Sequence, residues 1–175
     1  LGSVVIAALG TAQIQALGVT GITALSSSQV MALGSASLAA LTTEQVQNLA
    51  SEIISVLSSS QLSKLETEDV ASLTSTQINA LGSRGVTSLT SAQLVALGTS
   101  GIRALGTLQI SSLSSSVIGA FTTQQVRALD PQAVSAITSV QIRGLETDDL
   151  VALTSGQFSV LRGPTVAAMS TSQLA

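Results

Sequence analysis

The stretch Leu73 to Ser88, LTSTQINA followed by LGSRGVTS, decides the fold, because these two eight-residue phrases recur from end to end. With the places of an octad numbered from Leu73, place one is Leu at 19 of 22 occurrences, the others being Phe121, Ile137 and Met169. Place six is apolar at all 22. Alternate octads carry Gln at place five, from Gln13 and Gln29 through to Gln157 and Gln173, always sixteen apart, so the chemical repeat is sixteen residues. A unit this short cannot bury its own apolar face and has to stack on its neighbours.

The register runs unbroken through all 175 residues and leaves no boundary, which predicts a single elongated repeat domain over 1–175. Apolar residues make up 45%, yet there are two Phe and no Tyr or Trp, so the core has to be aliphatic. Six basic residues and a net charge of −3 argue against nucleic acid or an anionic membrane surface as partner. Polar residues return every few positions, so no apolar run of about 18 residues is present to insert into a bilayer. The chain starts at Leu1, so any leader peptide is expected to lie outside this stretch.

On a strand, places one and six would point to opposite faces; on a helix, place six and the next place one are three apart and share a face. Charge placement agrees with a helix. All nine acids, among them Glu44, Glu52 and Asp130, fall at places two, four or five, while Lys64, Arg103, Arg127 and Arg143 fall at seven or eight, as the helix dipole favours. Arg84 and Arg162 are exceptions.

Nine of the eleven Gln octads have Ser or Thr at place two, giving the capping box Ser/Thr-x-x-Gln, as in Thr42–Gln45 and Thr74–Gln77. Asp130-Pro131 reads as an N-cap with Pro at the first helical position, and Pro164 also lies in a first turn. In the other octads place two is often Gly, as at Gly34, Gly82 and Gly98. That predicts a left-handed closure there, with Ser35, Ser83 or Thr99 capping the helix that follows.

The predicted fold is all-α: a solenoid of very short helices from about place three to place eight, roughly 9–10 Å long at about 1.5 Å per residue. Two octads are expected to form one coil, about 11 coils in all, with places one and six inward and places four and seven outward. A parallel β-solenoid with a Gln ladder is the alternative, supported by the many Val, Ile and Thr residues. Phe121, Ile137, Phe158 and Met169 at inward places are expected to remodel the core between 121 and 169. Neither end carries a polar cap, so the domain reads as uncapped at both ends, to be continued, stacked or closed by a partner.

With no His and no Cys, Ser-His-Asp, Cys-His and His-based metal sites are excluded, and no phosphate-binding Gly pattern is present. No catalytic, cofactor-binding or metal residue is assigned. Two acidic corners, Glu66-Thr67-Glu68-Asp69 and Glu146-Thr147-Asp148-Asp149, stand eighty residues apart. Their carboxylates are ordinary first-turn charges, with Ca2+ ligation as the lesser option. The Gln row reads chiefly as caps, with an inter-coil ladder or a recognition surface as the other reading.

The phrase L-T-x-x-Q-I/V-x-A-L, present as LTTEQVQNL, LTSTQINAL, LTSAQLVAL and FTTQQVRAL, resembles repeat tracts in very large bacterial surface or secreted adhesin-like proteins. The resemblance covers essentially the whole chain. It implies an extracellular or cell-surface spacer or fibre segment and no catalytic residues. The expected function is therefore a non-catalytic rod or filament segment that self-associates end to end or side by side. The alternative is a solenoid binding module for a protein or glycan partner. The nearly aromatic-free surface favours the rod, because binding hot spots favour Trp, Tyr and Arg.

Overall fold

The structure is a computed structural model that describes residues 2–174. Among these are twenty α-helices and one 3-10 helix, and no strand, so the helical expectation holds and the β-solenoid does not. Typical helices are Thr43–Gln47, Ser91–Ala96 and Thr107–Ser112, each starting at place three. Isolated helices of this length are unstable in water, so each persists by packing. Place four is exposed in every described octad, and place six is buried from Ile6 to Leu150. One continuous apolar core runs from Ile6 to Met169.

The size of the coil differs from the expected two octads. Apart from sequence neighbours, extensive contacts join helices three octads apart: Ser3–Ala7 with Ser27–Ala32, Thr67–Ala71 with Ser91–Ala96, and Thr123–Ala128 with Thr147–Ala152. Side-chain hydrogen bonds reach four octads back, as from Gln93 to the carbonyl of Leu62, 31 residues away. A turn of the superhelix therefore takes three to four octads, or 24–32 residues. The 175 residues make between five and seven turns, not eleven coils.

The corners explain the difference. Several link two helices through two extended residues, as at Leu57 (φ −60°, ψ 136°) and Ser58 (φ −71°, ψ 158°). With three or four octads to a turn, a corner redirects the chain by about 90–120° on average, whereas a two-octad coil needs complete reversals by tight helix–helix hairpins.

A second corner occurs where Gly stands at both places two and five: Gly18/Gly21, Gly82/Gly85 and Gly98/Gly101. Here place one stays helical, as at Leu97 (φ −55°, ψ −18°), and the following Gly takes φ of about 60° (59° at Gly18 and Gly82, 62° at Gly98). A helical place one lays its side chain on place five. A Cβ at Gly101 would lie 2.8 Å from Leu97 Cβ, and one at Gly21 or Gly85 would meet Leu17 or Leu81 in the same way. The left-handed closure expected at Gly34 is absent: its φ is −64°, and place five there is Ser37. The caps expected from Ser35, Ser83 and Thr99 are not made. Ser83 Oγ instead donates to the Leu108 carbonyl in the next turn at 3.0 Å, and Ser35 Oγ pairs with Ser60 Oγ.

The octad 137–144 alone lacks an α-helix and keeps the 3-10 turn Ile142–Gly144. A Cβ on Gly119 would collide with the Gly144 carbonyl, and one on Gly144 with the Ser115 carbonyl. Two backbones meet here where elsewhere side chains intervene. Of the larger core residues, Phe121, Ile137 and Met169 are buried, while Phe158 is 48% exposed, with no octad three or four further on among the described residues.

Candidate functional site: the glutamine row between turns

A helix leaves four N–H groups and four carbonyls without partners at its ends, and a helix of five or six residues is almost all ends. The capping residues meet the first need. Ser or Thr at place two accepts from the place-five N–H in helix after helix, as Thr90 Oγ1 does from Gln93 N at 3.2 Å. The Gln side chain returns the bond, Thr90 N donating to Gln93 Oε1 at 2.8 Å. The capping boxes form in all nine Ser/Thr-x-x-Gln octads. Gly10 and Gly106 have no side chain to offer, but their N–H groups still donate to Gln13 and Gln109. Asp130 Oδ1 accepts from Gln132 N at 2.8 Å, with Pro131 at the first helical position as expected.

The other half of each amide serves the helix four octads earlier. Gln93 Nε2 donates to the carbonyls of Leu62 (2.9 Å) and Leu65 (2.8 Å), both at the C-terminal end of that helix. Gln61, Gln77, Gln141, Gln157 and Gln173 repeat the pattern at offsets of 31 and 28 residues. One side chain thus joins the start of its own helix to the end of another, and the cap and the ladder are a single device. Gln45 to Gln157 are buried by it, at 1–5% exposure. No buried side-chain nitrogen or oxygen lacks a partner among the described residues, as a low-dielectric interior demands. Gln13, with no described helix beneath it, is exposed.

Place five in the intervening octads faces the same way. Ser37 Oγ donates to the Leu9 carbonyl at 2.9 Å and Thr165 Oγ1 to the Ile137 carbonyl at 3.0 Å, again 28 residues back. The sequence reads the Gln row chiefly as caps, with an inter-coil ladder as the other reading, and the structure contains both; place five was not among the places expected to face inward. The available signal was the amide itself, which offers a donor as well as an acceptor.

The acidic corners do not act as clusters. Asp69 and Asp149, at place five, are each 3% exposed and accept from Thr43 Oγ1 (2.9 Å) and Thr123 Oγ1 (3.0 Å), while Glu66, Glu68, Glu146 and Asp148 face solvent. Burial pushes the Asp69 carboxyl above the usual carboxylate range; the Thr43 hydrogen bond opposes this, and Glu66 and Glu68 add to it. Among the described residues no three acids gather as a metal site would require. The surface clefts are open grooves of about 190–260 Å³ between turns, one of them lined by Arg103, Arg127, Asp130 and Thr154. Among the described residues no helix is long and apolar enough to cross a membrane.

These features define a tandem-repeat protein with a helical solenoid fold. The ALTTAQ repeat family matches it three times in overlapping tandem, over residues 62–99, 86–123 and 94–131. The starts of these matches are 24 and 8 residues apart, whole numbers of octads. No curated protein matches the chain.

Proposed function

We propose that the chain is a non-catalytic structural segment: a single elongated domain, extracellular or at a cell surface, that builds a rod or filament by stacking turn on turn and by self-association. The observation that carries this reading is the Gln row. It commits the amide side chains of the repeat to neighbouring turns of the same chain, leaving outward places filled mostly by Ser, Thr, Ala and scattered aliphatics such as Leu108, Val140 and Val151, with a few dispersed charges such as Glu44, Arg84 and Arg103. Such a surface offers few groups for catalysis or tight recognition. The localisation rests on the resemblance to adhesin-like repeat tracts and on a Cys-free composition that suits an oxidising compartment.

Electron microscopy of the purified chain tests the reading: rods joined into filaments are expected, and dispersed particles that stay single at high concentration would overturn self-association. A second reading, a binding module for a protein or glycan, draws on the groove holding Arg103 and Arg127, two of only six basic residues. Glycan-array binding that disappears in Arg103→Ala/Arg127→Ala would favour it.

A further inference from the structure

Charge is unevenly spread along the chain. Residues 70–129 carry three Arg and no acid, in a protein whose net charge is −3. Two of these, Arg103 and Arg127, stand at place seven of octads three apart, in the last turns of helices Gly98–Arg103 and Thr123–Ala128, which pack on each other. Both side chains are exposed, and neither guanidinium makes a hydrogen bond or an ion pair with a described residue. Arg143, by contrast, donates from Nε to the Ala168 carbonyl at 3.0 Å. The backbone beneath Arg127 is fixed, its carbonyl accepting from Gln157 Nε2 at 3.2 Å. Arg103 and Arg127 line one groove of about 230 Å³ between turns, together with Asp130, Pro131 and Thr154.

We propose that this groove seats one carboxylated sugar of an acidic glycan, its carboxylate on the two guanidinium groups and its hydroxyls on Asp130. The inference rests on the binding-module reading above and names its ligand; the rod reading does not depend on it. A guanidinium fork matches a carboxylate in two parallel hydrogen bonds, and two unpaired forks in one groove leave an anion as the group that completes them. Asp130 narrows the choice. Its Oδ1 accepts from Gln132 N at 2.8 Å, and Oδ2 is left to accept from a hydroxyl. The same carboxylate repels a densely charged polymer, so the favoured ligand carries isolated anionic groups among hydroxyls. An acidic peptide supplies carboxylates but no row of hydroxyls. The exposed Pro131 ring offers an aliphatic surface to the C–H face of a sugar, and no aromatic ring lines the groove, so affinity comes mainly from charge.

The test titrates the 175-residue protein with oligogalacturonate at low salt, beside an uncharged galactose oligomer, heparin and poly-glutamate. Wild type is expected to bind oligogalacturonate above the other three, with affinity falling as salt rises and screens the exposed charges. Arg103→Gln and Arg127→Gln are each expected to weaken binding about tenfold or more, and the double variant to lose it, with the circular dichroism spectrum unchanged. Asp130→Asn keeps a helix cap, because Asn caps about as well as Asp. It is expected to lift the repulsion and gain heparin binding. Wild type that binds heparin or poly-glutamate above oligogalacturonate overturns the sugar assignment. Absence of oligogalacturonate binding, or binding that survives the double variant, overturns the proposal. Glycan-array binding to uncharged sugars that is lost in the double variant removes the carboxylated ligand and leaves the binding-module reading standing.

Discussion

The Gln octads and the Gly-x-x-Gly octads solve the same problem in opposite ways. In Leu89–Ala96 the chain leaves one helix through extended residues, enters the next through a hydroxyl cap, and ties that helix to an earlier turn with one amide. In Leu97–Ala104 there is no hydroxyl cap and no amide; helix follows helix with only Gly98 at φ 62° between them, and Gly101 lets Leu97 fold onto the backbone. The first octad is held by hydrogen bonds and the second by shape. Where the two adjoin, the sixteen-residue chemical period is a division of labour between neighbouring octads, and the turn of the superhelix has a period of its own.

The comparison breaks most sharply at Gln93. Gln93→Glu keeps the size and the acceptor for Thr90 N but replaces a double donor with a carboxylate facing the carbonyls of Leu62 and Leu65. Leaving the Leu65 carbonyl without its donor and the Leu62 carbonyl with only the Leu65 N–H, beside a buried charge, is expected to cost about 3 kcal/mol or more at neutral pH. Much of that should return on acidification, when the protonated acid donates again. In a nearest-neighbour array the loss is local, so hydrogen exchange should rise first in Ser59–Leu62 and Ser91–Ala96. Uniform exchange across the chain would show that the Gln row is not what links these turns.

Gly101→Ala probes the other octad. The added methyl meets Leu97 Cβ at 2.8 Å and Ile78 Cδ1 at 3.2 Å, and overpacking of this kind costs about 1–3 kcal/mol. The same change at Gly156, inside helix Ser155–Ser159 on an exposed place four, meets only Thr154 Oγ1 at 4.0 Å. It should stabilise by about 0.5–1 kcal/mol through helix propensity. Opposite signs in denaturant unfolding are the expected outcome; equal signs would mean that the helix, and not the corner, dictates Gly101. Thr90→Ala removes a single cap and is expected to cost about 1 kcal/mol, while Thr99→Ala, whose hydroxyl makes no cap, should change stability little.

Much of this was legible in the residues. The spacing of places one and six, the acids in first turns and the Ser/Thr-x-x-Gln boxes each point to a short helix, and among the described residues an α-helix forms in every octad but 137–144, which keeps a 3-10 turn. The turn was not legible, because Gln marks every second octad by its chemistry while the winding is set by corner angles that no single residue carries. The conspicuous sixteen-residue period therefore stood in for the hidden 24–32. Gly34 and Gly98 look alike at place two, yet only the one with a second Gly at place five turns left-handed, so the corner is a property of a pair. The burial of Gln at place five does not show in its own octad for a related reason: the carbonyls that draw it inward lie 28–31 residues away.

The smallest expected effect refines the comparison at its weakest point, Asp69, which occupies place five where the Gln octads carry a neutral donor. Its carboxyl is raised by burial in the fold, so the folded chain holds the proton more tightly than the unfolded chain, whose Asp titrates at about 3.9. By linkage the stabilising contribution is fully present below that unfolded value and is lost as pH rises through the folded one. At neutral pH the ionised Asp69 is therefore a cost, which the Thr43 hydrogen bond offsets in part. Asp69→Asn should raise the melting temperature at pH 7, and the gap between the two proteins should narrow as pH falls through the carboxylate range. Thr43→Val should destabilise wild type at pH 7 more than it destabilises Asp69→Asn, because the hydroxyl's value lies in solvating a charge. A gap that widens on acidification would place the Asp69 carboxyl below its unfolded value, and the Thr43 hydroxyl would then outweigh the burial that pushes the carboxyl up.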